Sequence, residues 1–560
     1  MIEPNMSGTR TNVGQPLLSV VNFLIMLSGA AAVDDGYWAL LNHNSNLKRK
    51  TQATEVTRFL ELTIPREAMS SLGSLSARGL PATPVWWNMV HLLIWTVAGF
   101  TAYWFCLVLH RLFLHPLRNV PGPKVAAATS WYEFYQDVIL DGHYLKEYPR
   151  LHAQYGPIVR VSPNRVHIND SAFYHKVYST RTKYLKEPAL FKFAGELDAL
   201  PFIMEPAAHK IRRAIVGPMF SPRSIQEFSP AALQIIKAAL GKVEEAHDSG
   251  LPVSLKTLES NFAMDIIMKL CFGRDMNCTK GTKETTALVN CMITLTRSFC
   301  LIKHFPILGT TMQSFPNPIL ARILPGFVEF RQQCAQWVAE VRERHQNGVY
   351  RDESGRQTVF DAILEAEPQR TTKGCGRGIF PCYWGPEVQK KLLDELDKVE
   401  TNNDGLMEYQ NLVNLPYLTA IIQETLRISS PAPGILTRLV PAGGTTYSKY
   451  FLPAGTSVST AQRMIHYDPD LFPEPDAFMP ERWLGDNAQV YKANLIPFGK
   501  GPRMCVGMYL SYMEAYVFLG NLFRRFDMSL HNTDQSTLRW KDHIALHLED
   551  DVMIKVNSRR

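Results

Sequence analysis

One cysteine of this 560-residue chain has neighbours that a structural thiol does not need. Cys505 lies in PFGKGPRMCVG, residues 497–507, among Gly499, Gly501, Pro502 and Gly507, with Lys500 and Arg503 close by. A structural cysteine is usually a small buried hydrophobe in a helix or strand, and glycine and proline break such elements. An irregular turn of this composition can point backbone N–H groups inward, and the two cations add positive charge. Both influences favour thiolate over thiol. The pattern returns to helix from residue 508 to 526, so the cysteine stands just before a helix N-terminus, which again favours an anion at sulfur.

Two further constellations stand upstream. ETLR places Glu424 and Arg427 one helical turn apart, so both side chains leave the same face. FMPERW, residues 478–483, offers Arg482 as a second partner for Glu424. Alone, an ETLR on a helix reads as a surface ion pair. With the cysteine loop downstream it reads as a buried triad that locks the fold, structural rather than catalytic. His466 in MIHYDP reads as a hydrogen-bonded structural histidine, not a ligand or base. Cys375 and Cys382 lack the histidine or second cysteine pair that a zinc site requires.

Elements must position these residues, and the composition permits a large core. With 46% hydrophobic and 20% charged residues the chain is globular rather than disordered. Nine cysteines, scattered and odd in number, argue against a disulfide framework and for a reducing compartment. The net charge of +7 is spread along the chain, and no basic run interleaved with aromatics speaks for nucleic acid.

The organisation expected is an N-terminal extension of little compact structure over 1–84, a transmembrane anchor over 85–109, a proline-containing hinge over 110–130 and one large domain over 131–560. The anchor, VWWNMVHLLIWTVAGFTAYWFCLVL, carries no formal charge and is long enough to cross ~30 Å of hydrocarbon. Arg111, Arg118 and Lys124 follow it, which puts the large domain in the cytosol if positive charges stay inside. Residues 16–33 are also apolar but short and interrupted by Asn22 and Gly29, and a second span there stays open. Beyond residue 131 the sequence predicts mostly helices, with a hairpin in IVRVSPNRVHIND and short strands after residue 430.

The loop fits Phe-x-x-Gly-x-Arg-x-Cys-x-Gly through Phe498, Gly501, Arg503, Cys505 and Gly507. Together with the other two motifs and the anchor, it resembles the cytochrome P450 family, especially its membrane-bound fungal members, from about residue 121 to the C-terminus. The resemblance implies a mainly α fold with small β-sheets (α+β). It implies heme b (iron protoporphyrin IX) with Cys505 as the thiolate ligand of iron, which pushes electron density onto the metal and favours O–O cleavage. Gly501 and Gly507 would let backbone N–H groups approach the sulfur, and Phe498 would shield it from water. Arg503, Arg438 in LTRLVP, and His209 with Arg213 in HKIRR would meet the heme propionates. The family more often has tryptophan where His209 stands. The implied activity is hydroxylation or epoxidation of a lipophilic small molecule in fungal secondary metabolite biosynthesis. Electrons would come from NADPH-cytochrome P450 reductase docked near Lys500, on an endoplasmic reticulum membrane crossed once, with the heme domain facing the cytosol.

One stretch departs from the family. Its long distal helix, with an acid and a threonine, should lie between TVFDAILEAE and PEVQKKLLDELDKV, where PQRTTKGCGRGIFPCYWG stands instead. Glycines and prolines interrupt it, and Arg370 precedes Thr371 and Thr372 where the family has an acid, so these threonines are weak proton-relay candidates. The distal helix is therefore expected to be missing or truncated. Divergence could explain this; loss of an exon with gain of translated intron is the account favoured by the abrupt junction. The alternative function is accordingly a membrane-tethered heme-binding homologue with impaired or no oxygenase activity. A further alternative keeps catalysis but drops external electrons, as in peroxide use or isomerisation.

Overall fold

The computed structural model describes residues 85–188, 200–282, 285–286, 300–305, 315–323, 327–352, 354–366, 385–431, 434, 436–533, 539–543 and 545–560. The interrupted stretch, with Thr371, Thr372, Cys375 and Cys382, lies outside them, as does the apolar segment 16–33.

Helix α1 (Val85–Leu109) is 25 residues long, about 37 Å at 1.5 Å per residue. The hydroxyls of Thr96 and Thr101 donate to the carbonyls of Leu92 and Val97 at 2.7 and 2.8 Å. Neither leaves a bare polar group on the apolar surface, as a lipid environment demands. Among the described residues Met89–Leu114 is the one stretch long and apolar enough to cross a membrane. The chain divides within this helix into a unit ending at Cys106 and a unit from Leu107 to Arg560.

In the second unit, β1 (Ile158–Ser162) and β2 (Arg165–Ile168) form the expected hairpin around Pro163 and Asn164. Strand β3 (Leu185–Lys186) follows, and helix α2 (Pro206–Val216) begins where Glu205 accepts from the N–H groups of Ala207 and Ala208. Two long helices come next, α3 (Pro222–Ser249) and α4 (Leu255–Phe272). Each starts at a serine that caps its first turn and ends at a glycine in the left-handed region, Gly250 and Gly273. The helical pattern over 327–346 forms α5 (Phe327–Gln346), and α6 (Val359–Ala366) packs against α2 and α4.

Helices α7 (Pro386–Leu396) and α8 (Pro416–Ser429) both begin with proline, whose missing N–H costs nothing in a first turn. The apolar spacing of Val388, Leu392, Leu396 and Val399 predicts one helical face as far as Val399; α7 stops at Leu396, and Val399 packs on the core from the following turn. Strands β4 (Arg438–Leu439) and β5 (Ser457–Ser459) precede the cysteine loop, and α9 (Met508–Arg525) follows it. Phe526, expected in that helix, opens β6 (Phe526–Leu530), which pairs with β7 (Met553–Arg559). One core joins Phe228 and Ile236 of α3, Phe262 and Ile266 of α4, Leu392 and Leu396 of α7, Ile422 and Leu426 of α8, and Met513 and Val517 of α9. Each such side chain contributes about 1.5–3 kcal/mol by leaving water. The five-stranded sheet runs β1-β2-β5-β4-β3, so strands distant in sequence meet at one edge of the site.

Candidate functional site

The cysteine loop is tied off at its neck: the Cys505 N–H donates to the Phe498 carbonyl at 2.9 Å, and Met504 N–H to Gly501 at 3.1 Å. Gly501 has φ +74°, and a Cβ there would lie 2.4 Å from the Tyr178 carbonyl oxygen, so both conformation and space require glycine. Gly507 differs. Its φ is −84°, and a Cβ would lie 4.0 Å from Cys505 Sγ, an ordinary contact. Phe498 packs on the core and meets the Tyr512 ring at 5.5 Å.

Cys505 is exposed at its own surface, yet burial is the main influence on its thiol and pushes it up from the ordinary value. The side chain is thus accessible while the protein around it still desolvates the sulfur. The Gly507 N–H and the Arg213 guanidinium pull the thiol back down. Lys500 and Arg503, expected to favour the thiolate, point elsewhere. Lys500 Nζ meets His175 Nδ1 at 2.8 Å, and Arg503 donates to the Ile203 and Met204 carbonyls at 2.6 and 2.9 Å. In the protein alone, desolvation therefore outweighs the local positive field at sulfur.

Beside the thiol, basic side chains converge. Arg213 of α2 donates to the Met504 carbonyl at 2.6 Å. Arg438 of β4 donates to the Thr437 carbonyl at 2.9 Å, with its guanidinium 4.9 Å from the centre of the Tyr178 ring. His209 is held down at about 4 by burial and then by Arg503, Arg213 and Lys186. Lys186, which no motif indicates, is lowered to about 7 by burial, Arg438 and Arg503. Among the described residues the carboxylate beside this group is Glu205, already engaged in capping α2.

Away from the thiol, Glu424 and Arg427 are fully buried and paired twice, at 2.9 and 2.8 Å. Arg482 Nε donates to Glu424 Oε1 at 3.1 Å and Trp483 Nε1 to Oε2 at 3.0 Å. Arg427 also donates to the carbonyls of His466, Pro475 and Ala477 at 2.9, 2.7 and 3.1 Å, so the cluster clamps α8 to the loop that follows. His466 accepts from the Ile496 N–H at Nε2, which leaves the proton on Nδ1 facing Ser430 Oγ. Trp483 and Lys186 escaped sequence reasoning. The tryptophan could have been read from its place beside Arg482, whereas Lys186 joins the site only through strand pairing.

The family model for cytochrome P450 matches residues 127–553. The cytochrome P450 monooxygenase BOT1 of Botryotinia fuckeliana is 38% identical over 515 residues, covering 88% of this chain and 99% of that protein. The monooxygenase aneF of Aspergillus aculeatus is 30% identical over 474 residues, covering 80% of this chain and 96% of its own. The alternative of a heme-binding homologue without oxygenase activity gains no support from these matches. The family's cofactor is heme held by a cysteine thiolate. The residues present fit it: an accessible thiol, and beside it a group of basic side chains suited to two carboxylates.

Proposed function

The chain belongs to the cytochrome P450 family and is a monooxygenase, and from that premise we propose that it places one oxygen atom in a C–H bond or alkene of a lipophilic small molecule of fungal secondary metabolism. Cys505 holds the heme iron. Arg438, Arg503, Arg213 and His209 hold the propionates, and Phe498 keeps water from the sulfur. Bound heme supplies oxygen activation; the protein's part is to keep the thiolate unprotonated, seat the cofactor edge and exclude water. Electrons come from NADPH-cytochrome P450 reductase on the face that carries Lys500. Helix α1 anchors the chain to the endoplasmic reticulum with the second unit in the cytosol. Fungal relatives named as monooxygenases support the metabolic setting.

The observation that carries this reading is the accessible thiol of Cys505 next to the basic group. The test is the red-shifted absorption of the reduced protein with carbon monoxide. Cys505→Ala should abolish that band, while changes at Cys375 or Cys382 should leave it. A normal thiolate band in Cys505→Ala would end the assignment. With NADPH and a fungal reductase in vesicles the same band should appear without chemical reductant, and its failure to do so would remove the reductase as partner.

A further inference from the structure

A line of hydrogen bonds runs in one direction from the cysteine loop to α8. The Gly499 N–H donates to the Ile496 carbonyl at 3.0 Å, and the Ile496 N–H donates to His466 Nε2 at 3.0 Å. Across the ring, His466 Nδ1 lies 3.0 Å from Ser430 Oγ, and that hydroxyl lies 2.9 Å from the Arg427 carbonyl. A carbonyl can only accept, so the Ser430 proton goes to it and the Ser430 oxygen takes the Nδ1 proton. Both sides of the imidazole thus demand the same tautomer. His466 and Ser430 are fully buried, so neither bond is shared with solvent.

Ser430 ends α8 in the left-handed region, at φ 41° and ψ 69°, where a side chain is strained and glycine is the usual residue. Use of its hydroxyl explains a serine held there against that strain. Arg427, whose guanidinium grips Glu424, also donates to the His466 carbonyl at 2.9 Å, so the histidine is held at its backbone as well as its ring. One turn earlier on the same short helix, Gln462–His466, the Gln462 Nε2 lies 3.6 Å from where a Cβ on Gly499 would stand. The helix therefore meets the entry of the cysteine loop at two points, just before Phe498, whose carbonyl takes the Cys505 N–H.

We propose that His466 is a positioning residue for the cysteine ligand: through Ser430 and Ile496 it ties the entry of the loop to the buried Glu424 cluster and so fixes where the sulfur stands. The inference rests on the heme reading above. Burial at Cys505 favours the neutral thiol, so a sulfur free to drift from its ligand position returns to that form. A loosened loop then loses the thiolate before the protein loses its fold.

The experiment uses the full-length protein and reads the reduced carbon monoxide complex together with hydrogen exchange over residues 495–500. His466→Phe keeps a ring but offers no acceptor, His466→Gln returns an amide oxygen near the place of Nε2, and Ser430→Gly relieves the left-handed backbone while removing the hydroxyl. In His466→Phe and Ser430→Gly most of the red-shifted band should pass to the band of the neutral-thiol form. The amides of 496 and 499 should exchange about tenfold faster there, the worth of one hydrogen bond. His466→Gln should keep most of the red-shifted band. Ser430→Gly should lose it with little change in denaturant midpoint, since relief of strain offsets the lost bond. Ile266→Ala in α4 loosens the core away from this line of bonds and should keep the band in whatever heme protein remains. A full red-shifted band in either His466→Phe or Ser430→Gly overturns the proposal, as does a loss in Ile266→Ala equal to theirs. If His466→Phe does not fold, Ser430→Gly decides alone. A wild type without a thiolate band overturns the cofactor reading and this inference with it.

Discussion

Trp483 Nε1 donates to Glu424 Oε2 at 3.0 Å, which brings an indole into a cluster whose sequence spacing shows only charged residues. With Arg427, Arg482 and the Met479 N–H also donating, the carboxylate has partners on both oxygens. That saturation is what a buried charge needs if it is to cost little.

Glu424→Gln should therefore destabilise the protein by about 3–5 kcal/mol, because it leaves two buried guanidinium groups without their counter-charge. Trp483→Phe, which removes one hydrogen bond to a charged group, should cost about 1.5–3 kcal/mol. Denaturant midpoints measure both. Losses near zero for the pair would mean that the cluster does not hold α8 in place.

Gly501 and Gly507 share a motif but not a physical reason. Gly501→Ala must push a Cβ against the Tyr178 carbonyl at 2.4 Å and strain a φ of +74°, so heme content per protein should fall severely. Gly507→Ala should retain most of it. The ratio of Soret to protein absorbance compares them, and equal losses would refute the distinction.

Acid should weaken the fold through His466. Its folded value is pressed to about 3 by burial, then by Arg427 and Arg463, well under the ordinary 6.5. Between these values the unfolded chain binds a proton that the folded one refuses. Stability is therefore whole above about pH 6.5 and falls by up to about 1.4 kcal/mol per pH unit below it. Midpoints taken across that range should slope more gently in His466→Gln, and an unchanged slope would assign the effect to other groups.

The structure also sets where a truncation should start. Leu117 is fully buried in a core cluster, and Arg160, itself buried, donates to the Arg111 carbonyl at 3.0 Å. Deleting residues 1–109 should spare both and move the protein from membranes to the soluble fraction, since a spanning helix contributes far more membrane affinity than basic patches do. Retention of the truncated protein on washed membranes would show that another surface binds them.

The cysteine loop and the Glu424–Arg427 pair could be read in advance because their residues lie close together along the chain, where spacing is information, whereas Arg482, 58 positions from Glu424, was reached only through its motif. The destinations of Lys500 and Arg503 could not. Sequence shows that they neighbour Cys505 but not that their side chains turn to His175 and to the carbonyls of 203 and 204. The field at sulfur was misjudged for that reason. Helix limits were read well at α4, where the pattern over 255–270 meets a helix from Leu255 to Phe272, but the start of α3 was missed, since the pattern begins at Ala231 and the helix at Pro222. They were missed at α7 and α9, where apolar residues continue past the last helical hydrogen bond into a turn or a strand.

The strand order β1-β2-β5-β4-β3 has a consequence for biogenesis. Helix α1 leaves the ribosome early, while β3 and the cysteine loop are separated by some three hundred positions, from Lys186 to Cys505. At about 5–20 residues per second that interval lasts roughly 15–60 s. Throughout it β3 has no β4 to pair with, and α2 waits for the loop whose Met504 carbonyl it will hold. A nascent chain thus carries its long apolar helix for most of its synthesis before the cysteine loop exists to be held, and the site is assembled only when nine-tenths of the chain has been made.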